Sequence, residues 1–286
     1  MPAAEVLQRA AIAGQKLESA KYTLHGTVIS TTGNQKFSIS GTANGILQAK
    51  GQDSQHHLAV IASANQAGQD MTATIEGDVA VNWGKQLYFT FQKLELMPAS
   101  PTSPAVTSML VGKWWNLPLG GAAPTAPSIT ADPGMLQLQA SVVKVVKEYP
   151  VESAGGEDVY RYDVVLDGDL LKKYLKTTAE SRREVFDAAQ ADDFVKNFRA
   201  EGSVRILASS FFPKDVQWHI VSVSAPGTGE RAHLDATVSV SLSNYNAAPT
   251  ITFPAQSEPF SPALLLGLAG MLPAMPDVGG TSPHLP

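Results

Sequence analysis

The chain has 286 residues, of which 44% are hydrophobic and only 16% charged, with a formal net charge of −5. That balance, without a basic patch interleaved with aromatics, argues against a nucleic-acid partner. The absence of cysteine excludes disulfides, iron–sulfur clusters and thiol catalysis, and no apolar run approaches the roughly 18 residues of a transmembrane helix.

Residues 3 to 19 place Val6, Leu7, Ala10, Ala11, Ala13 and Leu17 mostly on one face, which predicts an amphipathic helix. Strands follow at short intervals. Tyr22, Leu24, Gly26 and Val28 alternate in the first; Gly33-Asn34 turns the chain; Phe37, Ile39, Gly41 and Ala43 alternate in the second. His56 to Ser63 reads as a third. The central hairpin is Asp70 to Val81 and Gln86 to Gln92, joined at Asn82-Trp83-Gly84-Lys85. Two strands alone are marginal in water, so the rest of the chain must extend this sheet and cover its apolar face.

Residues 98 to 108 are Pro/Ser-rich and read as irregular. Asp132-Pro133 opens a helix that is expected to run to about Lys147. Val159 to Leu166 is a strand. Asp167 to Leu175 and Thr178 to Arg199 are two further helices, the second with a charged, solvated face. Strands are expected at Gly202 to Ser209, Val216 to Val223 and Ala232 to Leu242, with a short one near Thr250 to Phe253. The pattern is α+β: one long antiparallel sheet of about ten strands, curved, with helices gathered on one face. One domain spans 1–254, followed by a Pro/Gly-rich tail at 255–286.

Catalytic patterns are weak. Ser141-Val142-Val143-Lys144 has the Ser-x-x-Lys spacing, but Ser-Asp-Asn and Lys-Thr-Gly partners are missing. The six histidines are His25, His56, His57, His219, His233 and His284; His56 and His57 point to opposite faces of a strand, and His219 could approach His233 across neighbouring strands. Without clustered carboxylates neither a zinc site nor any other metal or cofactor site is expected, nor is an enzyme. Asp167 or Asp169 reads as a helix cap. Trp114 and Trp115 leave two readings open: one ring plugging the sheet edge with the other on the surface, or an exposed aromatic that contacts lipid or a partner.

The alanine-rich helix leading into Ser19-Ala20-Lys21-Tyr22-Thr23-Leu24-His25-Gly26, then Leu87-Tyr88-Phe89, Gly112-Lys113-Trp114-Trp115-Asn116-Leu117-Pro118 and Tyr160 to Leu170 follow one another in an order that resembles the LolA/LolB superfamily of lipoprotein carriers. The likeness is greatest to the LppX/LprG-type lipid-carrying lipoproteins and spans residues 3 to 254. It implies a strongly curved antiparallel sheet, an unclosed half-barrel with helices covering its concave face, and between them an apolar cavity that holds lipid or lipoprotein acyl chains, with membrane-surface contact, in the periplasm or cell envelope. The start of the sequence lacks the basic and apolar regions of an export signal, so either the protein is cytoplasmic or Met1 replaces a removed signal; the Ser/Thr/Asn/Gln-rich strands with few lysines favour the second. The lipidated N-terminal cysteine common in that group is absent.

The acyl chain is expected against Phe37, Ile39, Ile75, Val79, Leu87 and Phe89, beneath Leu170, Leu171 and Leu175. Small residues on the same strand faces, including Gly41, Ala43, Ala73 and Gly77, leave room that a protein core would fill. The alternative is a non-catalytic interaction or sensor module on the same fold, its core packed by its own side chains.

Overall fold

The computed structural model describes residues 1–66, 69–83, 85–99, 103–119, 142–182, 185–224 and 232–261. Five long strands form an antiparallel meander: β1 (Ala20–Thr32), β2 (Gln35–Gln48), β3 (Asp53–Gln66), β4 (Gln69–Asn82) and β5 (Gln86–Met97). A second antiparallel series contains β7 (Val143–Glu148), β8 (Glu152–Ala154), β9 (Glu157–Leu166), β10 (Phe198–Leu207), β11 (Pro213–Ser224) and β12 (Ala232–Ser243). With β6 (Trp114–Pro118) and β13 (Glu258–Pro259), they make one 13-stranded sheet in the order β13-β6-β5-β4-β3-β2-β1-β12-β11-β10-β9-β7, with β8 added on β9. Among the described strands only the short β13–β6 pair is parallel. The outer strands β13 and β7 do not pair with each other, so the fold is α+β around an unclosed, curved sheet, as the alternation predicts.

The two series meet at β1 and β12, paired from Lys21 opposite Ser243 to Thr32 opposite Ala232. Asn246 fastens one end of that seam. Its side chain accepts from the Glu18 and Ser19 amides at 2.7 and 3.3 Å and donates to the Lys16 carbonyl at 3.2 Å, while its own amide donates to the Ser19 carbonyl at 2.7 Å. Its φ of 56° lies in the left-handed region, which asparagine tolerates.

Among the described residues there are four helices: α1 (Ala3–Gly14), α2 (Ser103–Leu110), α3 (Gly168–Arg182) and α4 (Ala188–Asn197). Buried Ala3 and Val6 of α1 pack on Tyr162, Val164 and Ile206, with Trp218 beside them, at the β9–β11 end. At the other end Leu110 of α2 packs with Leu94, Trp115 and Phe260. These two buried clusters lie far apart in the strand order.

Several elements differ from expectation. The helix predicted over 132–147 lies outside the described residues as far as 141; from Val143 the chain is a strand, with Val143 opposite Leu166 and Val145 opposite Val164. Branched valines with an open sheet edge beside them favour the ladder over local helical periodicity. The Pro/Ser-rich 98–108 stretch, expected to be irregular, contains α2; Pro104 falls in its first turn, where no amide hydrogen is needed. The expected break at residues 176–177 is instead continuous helix, and the second helix begins only at Ala188. Asp187 caps it, accepting from Ala189 and Gln190 amides at 2.9 and 3.0 Å. That helix stops at Asn197, and Phe198 already opens β10 rather than extending the helix.

No strand forms at Thr250 to Phe253. The Gln48 side chain holds this segment instead, donating to the Pro249 carbonyl at 2.7 Å and accepting from the Ile251 amide at 3.1 Å. Sheet contacts continue past the expected boundary at 254. The Phe260 amide donates to the Asn116 carbonyl at 2.8 Å, and its ring lies edge-on to Phe89 and Trp115. The remainder of the predicted tail, from 262, lies outside the described residues.

Two substitutions test these anchors by urea unfolding. Phe260→Ala removes a ring only 7% exposed and is expected to cost about 3 kcal/mol; an unchanged midpoint would mean that this cluster does not support the fold. Asn246→Ala removes three side-chain hydrogen bonds and should cost roughly 1–3 kcal/mol, with Asn246→Gly less harmful to the backbone because glycine accepts the positive φ.

Candidate functional site

The sheet register assembles the apolar positions into a grid. One row reads Tyr22, Gly45, His56, Val79, Phe89; the next, Leu24, Ala43, Leu58, Gly77, Phe91; then Gly26, Gly41, Val60, Ile75, Leu94; then Val28, Ile39, Ala62, Ala73, Leu96. Because side chains alternate, all of these share one face. β5 would lose phase after Phe91, but a bulge opposite Glu76/Gly77 absorbs one residue and returns Leu94 to the same side. Gly77 makes the bulge possible: a Cβ there would lie 2.0 Å from the Thr90 carbonyl oxygen.

Phe37, Ile39, Ile75, Val79, Leu87 and Phe89 therefore lie on one face of β2, β4 and β5, and all six are half-buried. Leu170, Leu171 and Leu175 lie on α3. That helix packs on α4, which leans on β10 and β11, the opposite half of the sheet from β4 and β5. Leu170 is 37% exposed.

One polar constellation, not foreseen from the sequence, lies within the apolar grid. The Tyr22 hydroxyl meets His56 Nδ1, and His56 Nε2 lies 2.8 Å from Ser54 Oγ. Gly45, between Tyr22 and His56 in the register, leaves space for the pair; a Cβ there would lie 2.6 Å from His56 Nδ1 and 2.7 Å from Tyr22 Cε1. Burial pushes the Tyr22 phenol up to about 12 and pushes His56 below its ordinary value. At neutral pH the histidine is thus neutral, with both ring nitrogens engaged. The available signal was phase: His56 alternates with Leu58 and Val60.

The opposite face is polar. His57 lies between Asp78 (2.9 Å from Nδ1) and Glu76 (3.5 Å from Nε2), and Asp78 also accepts from Gln92 at 2.7 Å. His56 and His57 point to opposite faces, as alternation requires. His219 does not meet His233: the register sets His219 opposite Thr237 and His233 opposite Val223, and His219 bonds Asp235 at 3.1 Å. Among the described residues no group of three or more candidate ligands gathers to hold a metal. Lys144 lies on strand β7, so the helical turn needed to align it with Ser141 is not formed there. Asp167 caps α3, accepting from the Asp169 and Leu170 amides at 3.1 Å. Trp115 is the ring at the sheet edge, buried, its indole donating to the Leu110 carbonyl at 3.1 Å; Trp114 is half-buried.

A cavity of about 520 Å3 extends across β12, β1, β2, β3, β4 and β5, lined by polar-face residues such as Thr27, Thr42 and Thr74 and by Gly26, Gly41, Val60 and Ile75 of the apolar grid. Of the residues predicted to hold the acyl chain, Ile75 alone lines it.

No family model and no curated protein matches the chain. Solved structures similar to it include the lipoprotein LppX of Mycobacterium tuberculosis, at 12% identity, covering 88% of this chain and 100% of that one, with a TM-score of 0.36. A β-barrel-like protein of the DUF1849 family from Brucella abortus is 9% identical, covering 79% and 99%, with a TM-score of 0.31. A DUF1329 family protein from Desulfovibrio piger is 7% identical, covering 87% and 95%, with a TM-score of 0.20. Likeness at this level assigns no family and transfers no activity.

The half-buried His56 gives a pH signature. Its folded-state value lies below its unfolded value, so on acidification the unfolded chain takes up a proton first. Stability is unaffected above about pH 6.5 and is lost as pH falls through the lowered folded value. The difference in urea-unfolding free energy between pH 7.5 and 5 should therefore be smaller in His56→Asn than in the wild type. Equal pH dependence in the two proteins would show that His56 titrates as though exposed.

Proposed function

We propose that the chain is a non-catalytic carrier of lipid or lipoprotein acyl chains, which lie on the apolar sheet face between the two packed ends. One observation supports this reading. The two buried clusters of described residues lie at the two ends of the sheet, whereas Leu24, Val28, Phe37, Ile39, Leu58, Val60, Ile75 and Val79 between them are only half-buried. A protein that left such a surface without a guest would forgo much of the usual driving force of folding. Each methylene removed from water contributes roughly 0.8 kcal/mol, so an acyl chain of about 15 carbons gains on the order of 12 kcal/mol gross. Association and ordering oppose this by about 4–15 kcal/mol. Binding then depends on chain length more than on the head group. The strands carry Ser, Thr, Asn and Gln rather than lysine on their wetted face, which supports placing the carrier outside the cytoplasm, in the cell envelope, with a membrane surface as donor or acceptor of cargo.

The test combines mass spectrometry of an organic extract of the purified protein with Val79→Trp. Val79 sits opposite Phe89 and beside His56 in the register. The carrier reading expects co-purified acyl lipids from the wild type, and a folded variant that no longer takes up a fluorescent fatty acid. If the face is instead filled by protein, the extract contains no lipid and the tryptophan overpacks the site, costing about 1–3 kcal/mol of stability. That outcome would replace the carrier with an interaction module.

A further inference from the structure

We propose that the cavity across β12 and β1 to β5 is a second binding site, for a neutral saccharide. Two rows of the register supply most of its lining, and Gly26, Gly41, Val60 and Ile75 of the row between them complete it. One runs Ser239, His25, Thr42, Ala59, Glu76, Lys93; the other runs Thr237, Thr27, Ser40, Ile61, Thr74. The lining shares Val60 and Ile75 with the apolar grid but includes none of Phe37, Ile39, Val79, Leu87 or Phe89, so the two sites are told apart by which of these residues respond to ligand.

Three features specify the ligand. The first is the hydroxyls of Thr27, Ser40, Thr42, Thr74, Thr237 and Ser239. Among the described residues none of them has a hydrogen-bond partner in the protein. Each can donate and accept, which is the complement of a sugar hydroxyl. The second is charge. Lys93 is paired with Glu95 at 3.1 Å, so the lining offers no unpaired lysine or arginine to an anion, and Glu76, 3.5 Å from His57, is an acceptor for a ligand hydroxyl. The third is Ile61, 48% exposed in the middle of this hydroxyl field with Ala59 beside it, an apolar patch suited to the C–H face of a sugar ring. The volume, about 520 Å3, falls in the range of small-molecule sites. An extended peptide is disfavoured, because the strands beneath are paired on both sides and offer no edge to extend.

The experiment is an NMR titration of the isotope-labelled full chain with maltotriose, cellotriose and mannotriose in turn, with inorganic phosphate and a tri-alanine peptide as controls. At least one trisaccharide should shift the Thr27, Ser40, Thr42, Ile61 and Thr74 resonances saturably, and the controls should not. The double variant Thr42→Val/Thr74→Val keeps branched side chains suited to a strand and should bind roughly tenfold or more weakly with unchanged shifts elsewhere. If that variant fails to fold, Ser40→Phe, which projects from an exposed position into the cavity, serves the same purpose. No saturable shift with any trisaccharide, shifts on Phe37, Ile39 or Val79 instead, an equal response to phosphate or peptide, or undiminished binding by the folded variant would each overturn the proposal.

Discussion

Everything in this fold depends on the seam between β1 and β12. Without it there are two separate antiparallel series, each with an exposed inner edge. With it there is one sheet and one continuous apolar face. The seam joins residues far apart in sequence: Asn246 bonds the Glu18 amide 228 positions away. Closing so long a loop costs entropy that grows only slowly with length, roughly 0.6 kcal/mol per doubling. A full-length ladder from Lys21 to Thr32 can therefore offset it, but such non-local pairing forms late and slowly. The Asn246 clamp fixes where the ladder starts, and a slip of one residue would turn every side chain of β12 to the wrong face.

Correct register makes the sheet two-sided. On one side, Val, Leu, Ile and Phe from successive strands adjoin; on the other, Thr, Ser and the paired charges around His57 do. The devices that preserve this division are local. The Gly77 bulge rephases β5, and Gly45 lets an aromatic ring and an imidazole lie side by side among aliphatic neighbours. Packing then differs along the sheet. Helix α1 closes one end, and α2 with Phe260 closes the other.

The sequence made the two-residue period plain, and with it the fold class, the central hairpin and the shared face of Phe37, Ile39, Ile75, Val79, Leu87 and Phe89. Period alone failed where tertiary pairing or a cap decided the outcome. Val143 and Val145 alternate with Lys144, yet the neighbouring Val142 and Val146 also give a helical spacing; only the free edge of β9 selects the strand. Asp187 falls inside the helix expected over Thr178 to Arg199, and only its two bonds to backbone amides identify it as a cap. Pro104 read as a breaker, although its place in the first turn of α2 makes it harmless. Tyr22, His56 and Ser54 lie on different strands or two residues apart, and nothing short of the register brings them together.

An unclosed sheet has two ends at which further strands could add, and their chemistry differs. At one end β13 is two residues long and includes Pro259, which has no amide hydrogen to offer. At the other, β7 is interrupted by a register shift between Val145 and Lys147 and carries Lys144 and Lys147. Short length, proline, irregularity and lysine are the means by which natural sheets discourage self-templating. The same molecule can thus carry a broad half-buried apolar face while its backbone remains a poor seed for fibrils.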